Sequence, residues 1–401
     1  MNSEILKLNE TVKWIGIRDY EIKTFDIVME IENGTTYNSY FIDADKKAII
    51  ETAKEAFAEE YLKKVKSVVN PAEISYIIFN HTEPDHSGSL SKLLEIAPGA
   101  TVVGSGQAIK YLQDMHERKF EFLVVKDGDE LDLGNKKLRF IGAPNLHWPD
   151  SIYTYLVEDR ILFTCDSFGA HYCSEEMFDD LVGDYSNSFK YYFDVILKPY
   201  SKFMLRAIEK IRKLDIDIIA TGHGPILRTH HKRIVELTEK YAAEYLKMNE
   251  HKKKKVLIAY VSAYDYTGNM AEAIAEGIKT NSAVEVEVLD IEKIDLGEID
   301  SKLVLADALI VGSPTINQNI LLPVYKLFAL INPIRDRGKL AASFGSYGWS
   351  GEGAEIIENI LKNLKLEIFD KAMPMKFRPD KDQKLELRDF GKRFAEQLCS
   401  Q

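Results

Sequence analysis

The sequence predicts an α/β protein in two parts, on the basis of three observations. The chain has 401 residues, which is enough for two or three hydrophobic cores. Short strand-like runs crowd residues 1–250, whereas residues 251–401 alternate regularly between apolar strands and amphipathic helices. Residues 251–255, one histidine and four lysines, stand between the two patterns and indicate a solvated linker. We therefore predict domains at residues 1–250 and 251–401.

The N-terminal part predicts short strands with a few helices between them. Apolar runs of strand length occur at residues 37–43, 75–79, 101–103, 138–141, 151–157 and 160–164. Helical patterns occur at residues 46–66, 202–214 and 233–248. Residues 158–159 lie between two of the strand-like runs, so they indicate a hairpin turn.

The C-terminal part predicts a parallel doubly wound sheet. Its apolar strands fall at residues 256–261, 284–288, 308–311 and 340–344. Helical stretches follow these strands, and alternation of this kind places the helices on both faces of one parallel sheet.

Composition excludes several classes of partner and site. The hydrophobic fraction of 45% and the charged fraction of 29% are those of an ordinary globular protein. A net charge of −11 argues against nucleic acid or an anionic membrane as partner. The three cysteines form no Cys-x-x-Cys pair, so neither a thiolate zinc knuckle, nor a rubredoxin centre, nor an iron–sulfur cluster is expected.

A cytoplasmic location is expected from the same features. A chain of this length with only three cysteines is typical of a reducing compartment. Its N-terminus lacks the basic start and apolar core of a secretory signal. No apolar run approaches the roughly 18 residues that cross a bilayer.

Four potential metal ligands stand within six residues, directly after the strand-like run 75–79. They are His81, Glu83, Asp85 and His86. A tight loop can wrap all four around a pair of cations, whereas a helix would scatter them. Histidines alone would suggest zinc, but a glutamate in the second ligand position favours iron.

Three further candidates, His147, Asp166 and His223, each lie just past another apolar run. With the first four they make four histidines and three carboxylates. Three carboxylates leave a pair of Fe(II) ions with one net positive charge, which a bridging hydroxide brings near neutrality. Mixed imidazole and carboxylate ligation suits redox iron, although manganese or zinc could also bind.

Three loops at strand ends in the C-terminal part could hold a phosphorylated ligand. Residues 262–268 join a strand to a helix, and residues 312–317 and 345–351 follow two further strands. A helix N-terminus binds phosphate through backbone N–H groups, and open parallel sheets bind ligands at the carboxyl ends of their strands. Neither a P-loop nor a Gly-x-Gly-x-x-Gly motif is present.

The ligand order His-x-Glu-x-Asp-His, His, Asp, His resembles the metallo-β-lactamase superfamily, with Glu83 in place of the usual second histidine. Together with the C-terminal part, nearly the whole chain resembles the flavodiiron proteins. The resemblance implies a metallo-β-lactamase-like αβ/βα sandwich followed by a flavodoxin-like domain, with two iron ions and FMN as cofactors. It assigns one iron to His81, Glu83 and His147. The other iron goes to Asp85, His86 and His223, and Asp166 bridges the two.

The same resemblance implies the flavin contacts. The first loop would contact the phosphate, and the other two would flank the isoalloxazine ring. The expected FMN-binding residues are Ser262, Ala263, Tyr264, Tyr266, Thr267, Ser313, Pro314, Thr315, Ile316, Asn317, Ser346, Tyr347, Gly348, Trp349 and Gly351. Tyr266 departs from the serine or threonine that many short-chain flavodoxins have there.

Two residues are expected in the substrate pocket without binding metal. His171 matches a pocket histidine of flavodiiron proteins, and Tyr191 matches a tyrosine whose hydroxyl can donate a hydrogen bond or a proton. Tyr192 is the alternative if the alignment slips by one residue.

The resemblance implies an oxidoreductase that reduces dioxygen to water, nitric oxide to nitrous oxide, or both. The expected donor is a separate rubredoxin-like protein or reduced deazaflavin, since no rubredoxin domain is expected after Leu398. Head-to-tail homodimers or dimers of dimers are expected, with Trp349 facing the iron of the neighbouring subunit. One alternative is a dizinc hydrolase with a flavodoxin-like regulatory domain, and another is an electron carrier with a relic metal site.

Overall fold

The computed structural model describes residues 4–25, 29–248, 253–333 and 335–401. The chain divides into two compact units, Met1–Leu246 and Lys247–Gln401. The predicted boundary between residues 250 and 251 falls outside the described residues and stays a prediction, as do the first two residues of the predicted linker. The linker prediction is wrong at its last two residues, because Lys254 and Lys255 begin the strand Lys254–Tyr260. No helix among the described residues is long and apolar enough to cross a membrane.

The first unit contains two large sheets. Their strands are β1 (Leu6–Lys7), β2 (Val12–Trp14), β7 (Tyr40–Ile42), β8 (Lys47–Ile50), β9 (Ile74–Ile78), β10 (Thr101–Gly104) and β11 (Phe122–Val124), in that order, and β12 (Glu130–Asp132), β13 (Lys137–Gly142), β14 (Ile152–Leu156), β15 (Ile161–Cys165) and β16 (Ile218–Thr221), also in order. Two small sheets pair β3 (Ile17–Asp19) with β6 (Thr35–Tyr37) and β4 (Thr24–Phe25) with β5 (Met29–Glu30).

Helices cover the outer faces of the two large sheets. They are α1 (Ala58–Val68), α3 (Leu90–Ile96), α4 (Gly106–Met115), α5 (Ser186–Tyr192), α6 (Ser201–Ile211) and α7 (His231–Met248), whereas the short α2 (Pro84–Ser87) follows the strand β9. One core cluster joins side chains of both sheets, such as Ile78 and Phe163, so the sheets pack face to face. Separate clusters join each sheet to its helices. The expected αβ/βα sandwich is confirmed.

The prediction of one helix over residues 46–66 is wrong in its first part. Lys47–Ile50 forms strand β8, which pairs antiparallel with β7 and parallel with β9, and α1 begins only at Ala58. Two adjacent isoleucines fit a pleated, buried surface, and pairing on both sides overrides the helical periodicity. The strand predicted over residues 37–43 is also interrupted, since β6 ends at Tyr37 and β7 begins at Tyr40.

Asn38 lies in that interruption, and its side chain holds the loop after β16. Its buried amide donates to the backbone oxygens of Thr221, at 2.9 Å, and Gly224, at 3.1 Å. Its carbonyl oxygen accepts from Trp14 Nε1 at 2.8 Å. Both polar atoms of the Asn38 side chain are therefore paired, and the segment that carries His223 is fixed to the first sheet.

The second unit is a doubly wound parallel sheet, as predicted. Strands β17 (Lys254–Tyr260), β18 (Val284–Asp290), β19 (Ala308–Gly312), β20 (Leu340–Tyr347) and β21 (Glu367–Ile368) take the order β18-β17-β19-β20-β21, and β22 (Met373–Lys376) also pairs with β20. All these pairings are parallel. Helices α8 (Tyr266–Ile278) and α12 (Lys381–Ser400) pack on one face, and α9 (Leu296–Leu305), α10 (Leu322–Leu330) and α11 (Glu352–Asn363) on the other.

Candidate metal centre and flavin site

All seven candidate metal ligands lie together in the first unit, although they come from four separate segments. The run that follows β9 leads into α2 and contributes the first four residues. His147 lies in the loop between β13 and β14, Asp166 follows β15, and His223 follows β16. β15 and β16 are parallel neighbours, so their carboxyl ends reach the same edge of the sheet.

The first donor cluster consists of His81, Glu83, His147 and Asp166, whose donor atoms all lie within 4.8 Å of one another. Glu83 Oε2 lies 3.2 Å from His81 Nε2 and 3.1 Å from His147 Nε2. His147 Nε2 lies 2.8 Å from Asp166 Oδ2. Two imidazoles and two carboxylates thus converge on one point.

The second donor cluster consists of Asp85, His86 and His223, again within 4.8 Å. Asp85 Oδ2 lies 3.1 Å from His223 Nε2 and 3.4 Å from His86 Nε2. Asp166 also reaches this cluster, because its Oδ1 lies 3.1 Å from His86 Nε2 and 3.4 Å from His223 Nε2. The two oxygens of Asp166 are therefore divided between the clusters.

Outer hydrogen bonds orient two of the histidines. His223 Nδ1 donates to the backbone oxygen of Thr36 at 2.6 Å, and an oxygen that only accepts fixes the proton on that nitrogen. His81 Nδ1 lies 3.2 Å from Asp150 Oδ1, and Asp150 Oδ2 accepts from the backbone N–H and the hydroxyl of Thr82. Both rings therefore point Nε2 at the clusters, as metal-binding histidines do.

The clusters need positive charge between their closely spaced acceptor atoms. His223 Nε2 and Asp85 Oδ2 are both acceptors once the proton is on Nδ1, yet they lie 3.1 Å apart. Burial lowers the pKa of His223, but the carboxylates of Asp166 and Asp85 outweigh burial and raise that pKa to about 10. Both carboxylate oxygens of Asp85 are buried without a well-aligned hydrogen-bond donor, which is costly unless a cation satisfies them. Protons can supply this charge, and so can two metal ions, which suit a donor set of imidazoles and carboxylates.

The structure places His171 beside the second cluster. Its Nδ1 lies 2.8 Å from Thr35 Oγ1, and its ring lies 5.0 Å from that of His223. Burial and the neighbouring His223 hold the pKa of His171 well below its usual range, so the ring is neutral. It carries a second nitrogen, Nε2, that is buried without a hydrogen-bond partner.

The structure places Tyr192, the alternative to the predicted Tyr191, beside His171. Tyr192 is buried with its ring 4.8 Å from that of His171, and burial and the Asp166 carboxylate raise the pKa of its phenol. Tyr191 is 43% exposed and lines an outer cleft of about 500 Å³ that His171 also borders. Adjacent residues of α5 point about 100° apart, so only one of the two can face the centre.

The three predicted flavin loops meet at the carboxyl edge of the second sheet. Ser262 Oγ accepts from the backbone N–H of Gly268 near the start of α8. Thr267 Oγ1 lies 2.9 Å from Ser346 Oγ, and Thr315 N–H donates to the backbone oxygen of Ser346 at 2.8 Å. The first loop is thereby joined to the third, and the third to the second.

This edge presents aromatic surface that suits a flavin. Tyr264 is 78% exposed and Trp349 is 76% exposed, which is unusual for side chains of this size. FMN would cover such surface with its ring, while the N-terminus of α8 is of the type that binds phosphate. Ser313 is buried in the second loop, where its hydroxyl donates to the backbone oxygen of Pro314 at 2.9 Å.

The sequence alone did not assign a role to several residues that support these sites. Asp150 and Thr36 fix two of the histidines, and Asn38 fixes the loop of one of them. Phe377 is 55% exposed, and its ring lies beside Gly348. Asp150 carried a usable signal, since an acidic residue stands three positions after His147. The others act through contacts between distant segments, which no local pattern reveals.

The fold and the two donor clusters define a metallo-β-lactamase-like domain joined to a flavodoxin-like domain. Residues 35–224 match the family model described as ODP family beta lactamase, and residues 258–391 match that of flavodoxin. The flavo-diiron protein FprA2 of Clostridium acetobutylicum is 39% identical over 400 residues, covering 98% of this chain and 99% of that one.

Two further relatives bear functional names. The anaerobic nitric oxide reductase flavorubredoxin of Shigella dysenteriae is 35% identical, covering 97% of this chain and 82% of that one. The solved structure of rubredoxin oxygen:oxidoreductase from Desulfovibrio gigas superposes with a TM-score of 0.69 at 27% identity, covering 99% of both chains.

The chain belongs to the flavodiiron proteins. It is an oxidoreductase, and its cofactors are FMN and a non-haem diiron centre. The alternative of a dizinc hydrolase is not favoured.

Replacing His147 by alanine tests the independence of the two sites. We expect iron to fall from about two ions per chain to about one, because the first cluster loses a ligand while the second keeps all of its own. FMN should stay bound, since His147 belongs to the first unit and the flavin loops to the second. Metal analysis and flavin absorbance measure both quantities. The matched control is His230→Ala, which removes an exposed histidine of the same unit; loss of flavin together with iron in His147→Ala would contradict the expectation.

Proposed function

We propose that this protein reduces dioxygen to water, nitric oxide to nitrous oxide, or both, at a diiron centre held by the seven clustered residues. The observation that carries the proposal is the position of Asp166, whose two oxygens face two separate sets of imidazole and carboxylate donors at 2.8 and 3.1 Å. A carboxylate placed in this way suits two metal ions that share one ligand. The names of two relatives, a nitric oxide reductase and a rubredoxin oxygen:oxidoreductase, support the two substrates.

When bound, the cofactors would supply the electrons: four electrons and four protons convert dioxygen into two waters, and two electrons and two protons convert two nitric oxide molecules into nitrous oxide and one water. The protein's own residues hold and orient the reacting groups. His81 and His223 are fixed through their Nδ1 atoms, so each offers Nε2 in one orientation. This preorganisation avoids reorganising the ligands during the reaction.

Two neutral side chains could supply protons and hydrogen bonds beside the centre. Tyr192 carries a phenol, which keeps its proton at neutral pH. His171 offers a ring nitrogen that has no hydrogen-bond partner. Donors beside developing negative charge lower the barrier of a reduction, so we assign both residues to the substrate pocket.

We propose that the carboxylate content of the ligand set selects iron. Glu83 replaces a neutral imidazole by an anionic oxygen ligand in the first cluster. A centre whose net charge lies near zero in the reduced state tolerates the two charges added on oxidation better than one built from imidazole alone. Hard oxygen ligands also suit iron better than a softer donor set does.

We further propose a rubredoxin-like donor, with reduced deazaflavin as the alternative, and a cytoplasmic location. The word rubredoxin in the names of two relatives supports the first choice. We also infer a head-to-tail homodimer or a dimer of dimers, in which the exposed Trp349 of one subunit faces the metal centre of its partner. An exposed aromatic edge of this kind is typical of a surface that becomes covered on assembly.

Side-by-side rates with the two gases test the proposed reaction. The purified protein, reduced under anaerobic conditions, should consume dioxygen, nitric oxide or both over many turnovers, with water or nitrous oxide as product. About two irons and one FMN per chain should accompany this activity. A protein that held zinc, hydrolysed esters or amides and consumed neither gas would refute the proposal.

Replacing Glu83 by histidine tests the role of the carboxylate. We expect the ratio of bound zinc to bound iron to rise at least about tenfold, the scale on which even outer ligand changes act, and gas reduction to be lost. Reconstitution with equal amounts of Fe(II) and Zn(II), followed by metal analysis, measures the ratio. Glu59→His makes the same change on the exposed face of α1 and should leave the ratio unaltered. An iron-loaded, active Glu83→His variant would refute the proposal that the carboxylate ligands select iron.

A further inference from the structure

The far side of His86 faces buried groups that the proposed reaction leaves unused. Glu51 follows β8 and is only 2% exposed. Its Oε1 accepts from the backbone N–H of Asn80 at 2.8 Å, one residue before the run of metal ligands. Its Oε2 is buried and has no hydrogen-bond partner. Oε1 of Glu51 therefore accepts a hydrogen bond, and Oε2 is available to accept another.

The backbone holds Glu51 in a restricted conformation. Its φ angle is +56°, in the left-handed region that residues with a side chain rarely adopt. Its N–H donates to the backbone oxygen of Ile78 at the end of β9. Such conformations persist where surrounding contacts determine them, and they are frequent at functional sites.

His86 differs from the two histidines whose outer nitrogen is bonded. His81 Nδ1 meets the carboxylate of Asp150, and His223 Nδ1 meets the oxygen of Thr36. His86 Nδ1 is buried without a partner, while its Nε2 faces Asp166 Oδ1 at 3.1 Å. The His86 imidazole, the Glu51 carboxylate and the Cys165 thiol each offer an atom, and these three atoms lie within 4.8 Å of one another.

We propose that Glu51 is the positioning residue for His86 and accepts its Nδ1–H on Oε2 when the second metal site is filled. This inference rests on the proposed role of His86 as a ligand. Binding a metal through Nε2 requires a lone pair there, so the proton must be on Nδ1, where it needs a buried acceptor. When Glu51 is ionised, its free oxygen is a strong acceptor, whereas the thiol of Cys165 is a weak one.

A substitution at Glu51 can place a donor opposite His86 Nδ1 while it keeps the hydrogen bond from the N–H of Asn80. Glu51→Gln keeps a carbonyl oxygen for the N–H of Asn80 but turns an NH₂ donor toward Nδ1–H. We expect the dissociation constant of the second Fe(II) ion to rise about 10–100-fold, the usual cost of losing an outer partner, with the first Fe(II) unaffected. Anaerobic Fe(II) titration of the FMN-loaded, chelator-treated protein measures both constants. Mössbauer spectra at limiting ⁵⁷Fe show which of the two sites is filled.

Two more variants separate positioning from folding. Glu51→Asp keeps the acceptor on a shorter side chain, so it should restore much of the second-site affinity, and it carries the test if Glu51→Gln fails to fold. Cys165→Ala should bind both irons as the wild type does. Flavin content and the thermal midpoint of unfolding confirm that each variant is folded.

Two results would overturn the positioning role of Glu51, and a third would overturn the diiron function on which it rests. A folded Glu51→Gln that bound both irons with unchanged affinity would overturn the positioning role. So would a third metal ion per chain that disappears in Cys165→Ala, because the buried triad would then be a metal site of its own. A wild type that bound no pair of Fe(II) ions would overturn the proposed diiron function itself, a failure distinguishable from a change confined to the variants.

Discussion

The geometry of the two donor clusters depends on one shared carboxylate. Asp166 Oδ2 faces His147 and Asp166 Oδ1 faces His86, so one side chain belongs to both donor clusters. Without it the two clusters would be neighbouring groups of buried acceptors with no common member. The same arrangement brings two buried carboxylates, Asp85 and Asp166, and the partly buried Glu83 beside four imidazoles, so positive charge is needed among them.

The backbone is strained next to Asp166, where it positions that carboxylate. Cys165, directly before it, has a φ of +47°, and the pairing of β15 with β16 shifts register between Phe163 and Cys165. Gly222 passes so close to Cys165 that a β-carbon there would meet its backbone at 2.8 Å. A bulge that re-aims a side chain at a strand end is a recurrent feature of active sites. The outer bonds to Asp150 and Thr36 then orient the rings that face Asp166.

Much of this arrangement could be predicted from the sequence, because its ligands follow strand ends. Parallel strands bring their carboxyl ends to one edge, so the four metal segments and the three flavin loops could each be grouped in advance. The helix assigned to residues 46–66 failed because sheet pairing of β8 outweighs local periodicity. The roles of Glu51 and Thr36 could not be predicted because they lie in contacts across 29 and 187 residues of sequence. Choosing between Tyr191 and Tyr192 needed the rotation of α5, which spacing alone does not give.

Iron binding by an Asp166→Ala variant tests the shared carboxylate most directly. If Asp166 serves both clusters, its loss should weaken both sites, and the variant should hold well below about one iron per chain under conditions that give the wild type about two. Flavin content should remain that of the wild type, since Asp166 lies in the first unit. An Asp166→Ala variant that still bound two irons, or that lost only one while the other kept its wild-type affinity, would contradict a carboxylate divided between two metal ions.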